Sequence, residues 1–192
     1  MHWTYCDTAA FTAQELQKAY DGLSASRKAH IDRLRQPKDK RRSLTGELLV
    51  QRLLADRFGI RDARLNRREN GQPYLTGCSL YVSISHCENM VACAVSNEPV
   101  GIDLEKIRPI DLKLCRHVCL PEEKTYVLGD YPEDTVGECR DEKVLERFFE
   151  IWTAKEAYFK KCGTGITNLK SVNVLPVQRQ IHRSGDYMLQ IL

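Results

Sequence analysis

The sequence predicts an α+β fold in which two long helices accompany a group of short strands. Residues 37–58 and 140–162 have the length and apolar spacing of helices, and the first begins at Pro37 and ends before Gly59. Between them, five short apolar segments are separated by turn residues. A chain of 192 residues with 42% apolar content can bury one core, as a single domain or as two small lobes sharing an interface.

The N-terminal half reads as two helices followed by the strands. Thr12 and Glu15 have the spacing of a capping box, which predicts a helix over residues 12–22 ahead of the long one. Asn70-Gly71 and the pair Glu88-Asn89 have the composition of hairpin turns. The predicted strands cover residues 63–69, 73–75, 81–88, 90–96 and 100–107.

The C-terminal half is mainly helical. Residues 112–120 favour a helix that buries Leu and Cys, and Pro121 starts the next helix. A polar loop over residues 129–138 precedes the long helix, which ends before Gly163. The tail, residues 171–192, is predicted to form a terminal hairpin.

Basic charge is concentrated near the start of the chain, although the net charge is only +3. Residues 27–42 contain two acids, Asp32 and Asp39, against a much larger set of basic side chains. These are Arg27, Lys28, Arg33, Arg35, Lys38, Lys40, Arg41 and Arg42. A cluster of this kind predicts a polyanionic partner.

The sequence also bears on compartment and on metal chemistry. No leader-like or bilayer-length apolar segment is present, and the eight cysteines contain no CxxC pair, which favours reduced thiols in the cytoplasm. Cys115, His117 and Cys119 are the alternative as zinc ligands, but their spacing is poor for that metal.

Two carboxylates stand side by side on an otherwise apolar strand. In residues 100–107, VGIDLEKI, apolar side chains at every second position alternate with Asp103 and Glu105. Like charges repel, and an ionised carboxylate is costly to bury. The strand therefore needs a partner that offsets both charges.

Glu156 is a third acid in an apolar setting. With side chains about 100° apart around the helix, it lies with Lys155 in an arc of aromatic residues that includes Trp152 and Phe159. An ion pair with Lys160, four positions on, would explain an isolated acid. All three carboxylates are explained together if they converge on a divalent cation. Oxygen ligands suit magnesium, which commonly completes its shell with substrate phosphate.

These observations predict a magnesium-dependent enzyme that acts on a phosphate-bearing substrate. The sequence contains neither GxxxxGK[ST] nor GxGxxG, which argues against an ordinary nucleotide hydrolase. The charge cluster alone would also suit a nucleic-acid-binding module. That alternative leaves the three acids unexplained, and the cluster lacks interleaved aromatic residues.

Several of these stretches resemble the signatures of the phosphopantetheinyl transferase superfamily. They are VGIDLEKI and FFEIWTAKEAYFKKCGTGI, preceded by NGQPYL and VSISHCENMVACAVS. With the basic helix and RRSLTGELL upstream, the order resembles the monomeric Sfp-type branch over residues 27–165. The resemblance implies a pseudo-twofold fold of two similar α/β lobes, residues 1–99 and 100–192. The chain departs from the family pattern in its shortened C-terminal lobe, because Sfp-type chains usually continue into a further pair of strands.

The resemblance also implies an activity and a metal site. Such an enzyme moves the phosphopantetheine arm of coenzyme A onto a serine of an apo acyl or peptidyl carrier protein. Asp103, Glu105 and Glu156 match the family's magnesium ligands, and Glu156 also matches its proposed general base. Lys160 matches the residue that stabilises the leaving group, and His86 is a further candidate catalytic residue.

A further set of positions matches the residues that bind coenzyme A. They are Arg27, Arg42, Gly71, Gln72, Pro73, Ser85, His86 and Lys160. Gln72 stands where a lysine is common in the family. Gly46, inside the first long helix, matches a glycine of the same family stretch and predicts a close approach there.

The implied partners are coenzyme A and the carrier protein, with no membrane, no nucleic acid and no second subunit. The carrier is expected to dock near residues 105–125, where basic and apolar side chains suit an acidic partner. A simply buried helix is the alternative for that stretch. A non-catalytic coenzyme A binder is the alternative for the whole chain.

Overall fold

Two three-stranded antiparallel sheets, each packed against one long helix, dominate this computed structural model. It describes residues 1–132, 137–165 and 168–192. The helices are α1 (Ala13–Asp21), α2 (Ala25–Asp32), α3 (Pro37–Phe58), α4 (Lys113–Val118), α5 (Pro121–Leu128) and α6 (Glu142–Cys162). The strands are β1 (His2–Asp7), β2 (Arg64–Arg67), β3 (Pro73–Thr76), β4 (Tyr81–Cys87), β5 (Met90–Ser96), β6 (Ile102–Lys106), β7 (Ile110–Asp111), β8 (Glu138–Cys139), β9 (Gln180–Ser184) and β10 (Tyr187–Ile191).

The N-terminal lobe is built on the sheet β1-β5-β4. Helix α3 packs its apolar face, with Val50 and Leu54 fully buried, against β5 at the centre of this sheet. Gly46 allows the close approach expected from the sequence, because a Cβ there would already lie 3.4 Å from Ile84 Cγ2. The hairpin β2-β3 also belongs to this lobe, and Asn70 in its turn contacts Gly163 of the second lobe.

The C-terminal lobe repeats this plan with the sheet β6-β10-β9. Helix α6 covers β6 and β10, and the aromatic residues Phe148, Phe149 and Phe159 of its apolar face are buried. Helices α4 and α5 and the short ladder β7-β8 complete the core on the far side of α6. The two-lobed α+β fold is therefore confirmed.

The lobes meet where β4 runs beside β6. The backbone N–H of Ile102 donates to Ser83 Oγ at 3.1 Å, which fixes β6 to the neighbouring lobe without a ladder bond. At the other side of the interface, Trp3 Nε1 donates to Gln180 Oε1 at 3.0 Å. These contacts make one continuous unit of the two sheets.

Most of the sequence-based elements are confirmed. The capping box of Thr12 and Glu15 is present, and Gly59 and Gly163 end the two long helices in the left-handed conformation. None of the helices in the described ranges combines the length and apolar composition needed to cross a bilayer. The polar loop predicted over residues 129–138 lies partly outside the described residues.

Several elements differ from the predictions, among them the short strands β7 and β8, which were not predicted. Strand β1 and helix α2 were also not predicted. Strand β1 is stabilised by its ladder with β5, where His2 faces Val95, and its own sequence pattern does not indicate a strand. The predicted terminal hairpin forms only from residue 180 onwards. Residues 171–179 contain no strand, because backbone groups there bond instead to side chains such as Lys155 and Arg179.

Gly101 sets the distance between β6 and α6. A Cβ on Gly101 would lie 1.8 Å from the carbonyl oxygen of Ala157, a distance that no side chain can adopt. Ala157 is itself fully buried. The strand and the helix are thus in backbone contact at the point where both begin to carry the predicted site.

We predict that Gly101→Ala lowers the free energy of unfolding by at least ~2 kcal/mol, because the added methyl overpacks an interface with no room for it. Chemical denaturation followed by circular dichroism measures the change.

The matched control is Gly46→Ala, where the new methyl meets Ile84 only at contact distance. Here alanine removes the helix penalty of glycine, so we expect a change between zero and a gain of about 1 kcal/mol. Equal losses in the two variants would contradict the special role of Gly101.

Candidate active site

A cavity of about 210 Å³ opens between the lobes, beside the last turns of α6. Its walls come from β4, from the turn before β3 and from α6, so residues distant in sequence share one surface. The lining includes Gly71, Gln72, Pro73, Val82, Ile84, Phe159, Lys160 and Gly163. Val82, Ile84 and Phe159 supply apolar surface to this cavity, and Lys160 and Arg67 supply positive charge.

Two further cavities continue this groove across the N-terminal lobe. One, of about 360 Å³, is lined by Arg42 and His86 among others, and the next, of about 590 Å³, by Arg27, Arg33 and Arg68. All three cavities share Arg67 and Gly71, which places them side by side. The three cavities therefore form one groove, and the two further cavities add several arginine side chains to it.

Asp103 is the buried acid at the lobe interface, with 3% of its surface exposed. Its Oδ1 accepts from Lys160 Nζ at 2.5 Å and from Ser85 Oγ at 2.7 Å. Lys160 Nζ also donates to Ser85 Oγ at 2.9 Å. Lys160 thus pairs with Asp103 on β6. Among the described residues it forms no ion pair with Glu156, although its charge lowers the pKa of that group, so an i,i+4 ion pair does not explain Glu156.

The negative charge of Asp103 affects the pKa values of Glu156 and Glu105. Burial, and next the nearby Asp103, raise the pKa of Glu156 to about 7, while Lys160 opposes this rise. Burial and Asp103 also raise the pKa of Glu105, which accepts from Arg108 Nη1 at 3.4 Å. The three acids predicted from the sequence are therefore close enough to influence one another.

The side chains of the site are chemically suited to a divalent cation, but they are not arranged as a complete set of metal ligands. No group of three or more His, Cys, Asp or Glu side chains within the described ranges is arranged to hold a metal ion. However, Asp103 Oδ2 is buried and has no hydrogen-bond partner among the described residues. A bare carboxylate oxygen beside two further acids is the donor set that a hard cation would satisfy.

Three residues matched to coenzyme A binding from the N-terminal lobe lie along the basic part of the groove. Arg27 is buried, donates to Ser43 Oγ at 2.9 Å and pairs with Glu47 at 3.4 Å, yet its Nη1 has no partner in the described structure. Arg42 pairs with Asp39 and donates to the carbonyl oxygen of Glu88. Partial desolvation in the groove, and next Arg42, lower the pKa of His86, which favours a neutral imidazole.

Arg67 is a groove residue that was not predicted from the sequence, although it occurs in the segment NRREN directly before the turn. Its Nη1 donates to the carbonyl oxygen of Gly71 at 2.8 Å, and it contributes to all three cavities. Burial, and next Arg27, lower the pKa of Arg67 to about 10, so it remains a cation at neutral pH. Its Nε has no partner among the described residues. It points to anion binding in the middle of the groove.

The turn at residues 70–73 reaches across to the end of α6. Asn70 Nδ2 donates to the carbonyl oxygen of Gly163 at 3.3 Å. A Cβ on Gly163 would lie 2.7 Å from Gln72 Nε2, so the glycine leaves space for this amide. Gln72 thus lines the groove as a neutral group.

The stretch at residues 105–125 is neither fully buried nor fully open. Leu114 is 40% exposed, while Cys115 and Cys119 are buried. His117 is exposed, away from the two buried thiols, so this triplet does not form the alternative zinc site.

Two family models match consecutive parts of the chain. Residues 10–98 match the model described as 4'-phosphopantetheinyl transferase, N-terminal. Residues 99–189 match the model described as the 4'-phosphopantetheinyl transferase superfamily. The chain belongs to the 4'-phosphopantetheinyl transferase superfamily.

Curated relatives of this transferase carry the same family name. It is 31% identical to the 4'-phosphopantetheinyl transferase HetI of Nostoc sp., over 83% of this chain and 68% of HetI. The match to Sfp of Bacillus subtilis is 25% identical over 93% of this chain and 75% of Sfp. The match to gsp of Aneurinibacillus migulanus is 35% identical over 67% of this chain, and it spans about half of that relative, 51%.

Lys155 of the transferase lies outside the site, although it neighbours Glu156 in sequence. It is fully buried and pairs with the equally buried Glu123 at 2.7 Å. Its Nζ also donates to the carbonyl oxygens of Leu169 and Val172 at 2.6 and 2.8 Å. Glu123 in turn accepts from backbone N–H groups of the α5 start and of residue 174. The pair ties three segments together.

We predict that Lys155→Met lowers the free energy of unfolding by about 3–5 kcal/mol, because it leaves Glu123 as an uncompensated buried charge. Lys161→Met on the exposed side of the same helix is the control, with an expected change within ~0.5 kcal/mol. Denaturant melts of the two variants make the comparison. Similar stability in both would show that the buried pair contributes little.

We predict a pH-dependent difference between the transferase and its Glu156→Gln variant. Because the folded pKa of Glu156, about 7, exceeds its ordinary value of 4.5, the folded state binds this proton more tightly than the unfolded state. The resulting stability is fully present below about pH 4.5 and is lost as the pH rises through about 7. After a discount for solvent screening, the wild type should lose about 2 kcal/mol relative to Glu156→Gln over this range.

Urea melts in a chelator between pH 4.5 and 8 measure this difference. Glu146→Gln, at an exposed position of α6, is the control and should follow the wild type. Parallel curves for the wild type and Glu156→Gln would contradict the raised pKa.

Proposed function

We propose that the chain transfers the phosphopantetheine arm of coenzyme A to a serine of an apo acyl or peptidyl carrier protein, releasing adenosine bisphosphate. One observation carries this proposal: Lys160, which lines the cavity between the lobes, pairs with the buried Asp103, and Glu156 is close enough to both for their charges to shift its pKa. A base, a cation and a basic groove are what phosphoryl transfer from a long anionic donor requires.

Glu156 is the proposed general base. A carboxylate can accept the proton of an attacking hydroxyl only in its ionised form, which bound magnesium would favour for Glu156. Glu156 would take the hydroxyl proton of the carrier serine as the serine oxygen bonds to the β-phosphorus of coenzyme A. The bond from that phosphorus to the bridging oxygen breaks, and its electron pair leaves on adenosine bisphosphate.

Lys160 is the proposed stabiliser of the leaving group. Asp103 and Ser85 hold its ammonium, and 27% of its side chain remains exposed towards the groove. A fixed ammonium there would offset the negative charge that develops on the departing phosphate. His86, as a neutral imidazole at the groove, would donate a hydrogen bond to a phosphate oxygen.

Magnesium is the proposed cofactor, held by Asp103, Glu105 and Glu156. When bound, it would neutralise charge on the diphosphate of coenzyme A. The bare Asp103 Oδ2 and the raised pKa values of both glutamates support this assignment, since a cation would relieve their mutual repulsion.

The basic groove is the proposed site for the rest of coenzyme A. Phosphate groups would lie along Arg27, Arg42 and Arg67, which keep unpartnered N–H groups in the described structure. The turn residues Gly71, Gln72 and Pro73 would line the space beside the base. An elongated anionic ligand fits a groove in which several cations follow one another.

The carrier protein is the proposed macromolecular partner, with docking near residues 105–125. Exposed Lys113, Arg108 and Leu114 offer charge and apolar surface to an acidic partner on this side of Glu105. We further propose a cytoplasmic monomer with lobes at residues 1–99 and 100–192, in keeping with cysteines that form no disulfide in the described structure. No observation favours the nucleic-acid module or the non-catalytic binder.

Intact-mass spectrometry of apo acyl and apo peptidyl carrier proteins, each incubated with the transferase, coenzyme A and magnesium, tests the proposal. We expect one phosphopantetheine arm to be added to at least one carrier, and a chelator to abolish the addition. Glu156→Gln should slow the transfer at least ~100-fold, the usual contribution of a general base.

Glu146→Gln on the outer side of the same helix is the matched control and should retain the wild-type rate. Coenzyme A binding without any transfer to either carrier would overturn the proposed activity. Transfer that persists in a chelator would overturn the magnesium assignment alone.

A further inference from the structure

A strained residue links the two lobes at the edge of the groove. Glu88, in the turn between β4 and β5, has a φ of 51°, and it is the only residue other than glycine with a positive φ in the described ranges. This left-handed conformation disfavours a side chain, and it persists where the surroundings hold the residue in place. Glycine would fit the turn with less strain, so the glutamate needs a reason.

The Glu88 carboxylate binds the opposite lobe. Its two oxygens accept from Lys106 Nζ at 3.0 and 3.2 Å, and Oε2 also accepts from the Tyr187 hydroxyl at 2.9 Å. Lys106 and Tyr187 face each other in the ladder between β6 and β10. One side chain of the N-terminal lobe therefore binds the ends of two adjacent strands, β6 and β10, of the other lobe.

The backbone of Glu88 binds Arg42, a groove residue of the N-terminal lobe. Its carbonyl oxygen accepts from Arg42 Nη1 at 3.2 Å. Arg42 lines the same cavity as His86, two positions before Glu88, and Lys106 directly follows Glu105 on β6. Glu88 thus lies between a cation proposed to bind phosphate and the strand that carries the carboxylates.

We propose that Glu88 is a positioning residue that fixes β6 and Arg42 relative to each other across the cleft, and thereby sets the affinity for coenzyme A. This inference rests on the proposed function. Glu88 touches none of the reacting groups, so it acts through Arg42 and β6. Each of its contacts is partly exposed and weak by itself. Their effect arises because three elements meet at one rigid turn.

Glu88→Gly tests the inference, because it removes the carboxylate and relieves the strained backbone together. We expect the melting temperature to be unchanged or higher, the KM for coenzyme A to rise about three- to tenfold, and kcat to stay within about twofold. A residue with a merely structural role would instead lower the melting temperature and leave this KM unchanged.

Two further variants sharpen the test. Tyr187→Phe removes one contact without changing the turn, and should raise the KM in the same direction by a smaller factor, about twofold. Because Tyr187 acts through Glu88, the double variant should behave like Glu88→Gly alone. Glu98→Gly, in the turn after β5, is the control and should keep the wild-type KM.

Hydrogen exchange of the β6 amides provides a readout that needs no activity. We expect faster exchange at residues 102–107 in Glu88→Gly, measured without coenzyme A. If the wild type transfers nothing but the β6 amides exchange faster in Glu88→Gly, the proposed function is overturned and the positioning role stands. Active wild type, with KM and exchange unchanged in Glu88→Gly, would overturn the positioning role alone. Should Glu88→Gly fail to fold, Tyr187→Phe alone decides between these outcomes.

Discussion

Backbone contact between β6 and α6 is the constraint on which the site depends. At Gly101 the strand lies so close to the helix that even a methyl group would collide with the carbonyl of Ala157. Beyond this point the strand presents Asp103 and the helix presents Glu156 and Lys160. The acids and the lysine therefore meet where the two backbones touch, and Asp103, with 3% of its surface exposed, is the charge best shielded from water.

Helix α6 carries two lysines that are used in opposite ways. Lys155 is fully buried, and its ammonium is satisfied by Glu123 and by two backbone carbonyls. Lys160 is only partly covered, and its partner Asp103 keeps one oxygen without a hydrogen bond in the described structure. A fully satisfied network rigidifies a fold, whereas an incompletely satisfied one at a groove is where a ligand gains most.

The N-terminal lobe contributes a set of arginine side chains to the groove. Arg27, Arg42 and Arg67 are each anchored by one or two contacts and each retain an unpartnered N–H in the described residues. Holding guanidinium groups in advance reduces the entropy that an anionic ligand must lose with them. In the proposed function, the arginines of the N-terminal lobe would bind the anion, and Asp103, Glu156 and Lys160 of the C-terminal lobe would act on its phosphate.

The sequence by itself determined the local elements and the identity of the unusual residues. Capping residues, proline and glycine placed the long helices, and the carboxylates on VGIDLEKI stood out because charge on an apolar strand is costly. Strand β1, the pairing of Lys155 with Glu123 and the contribution of Arg67 were decided only by the tertiary structure. Each depends on partners far away in the chain: β5 for β1, α5 for Lys155, and the facing groove walls for Arg67. The local sequence pattern determines which side chains of a segment are buried. The groups that those side chains contact are determined only when the two lobes pack together.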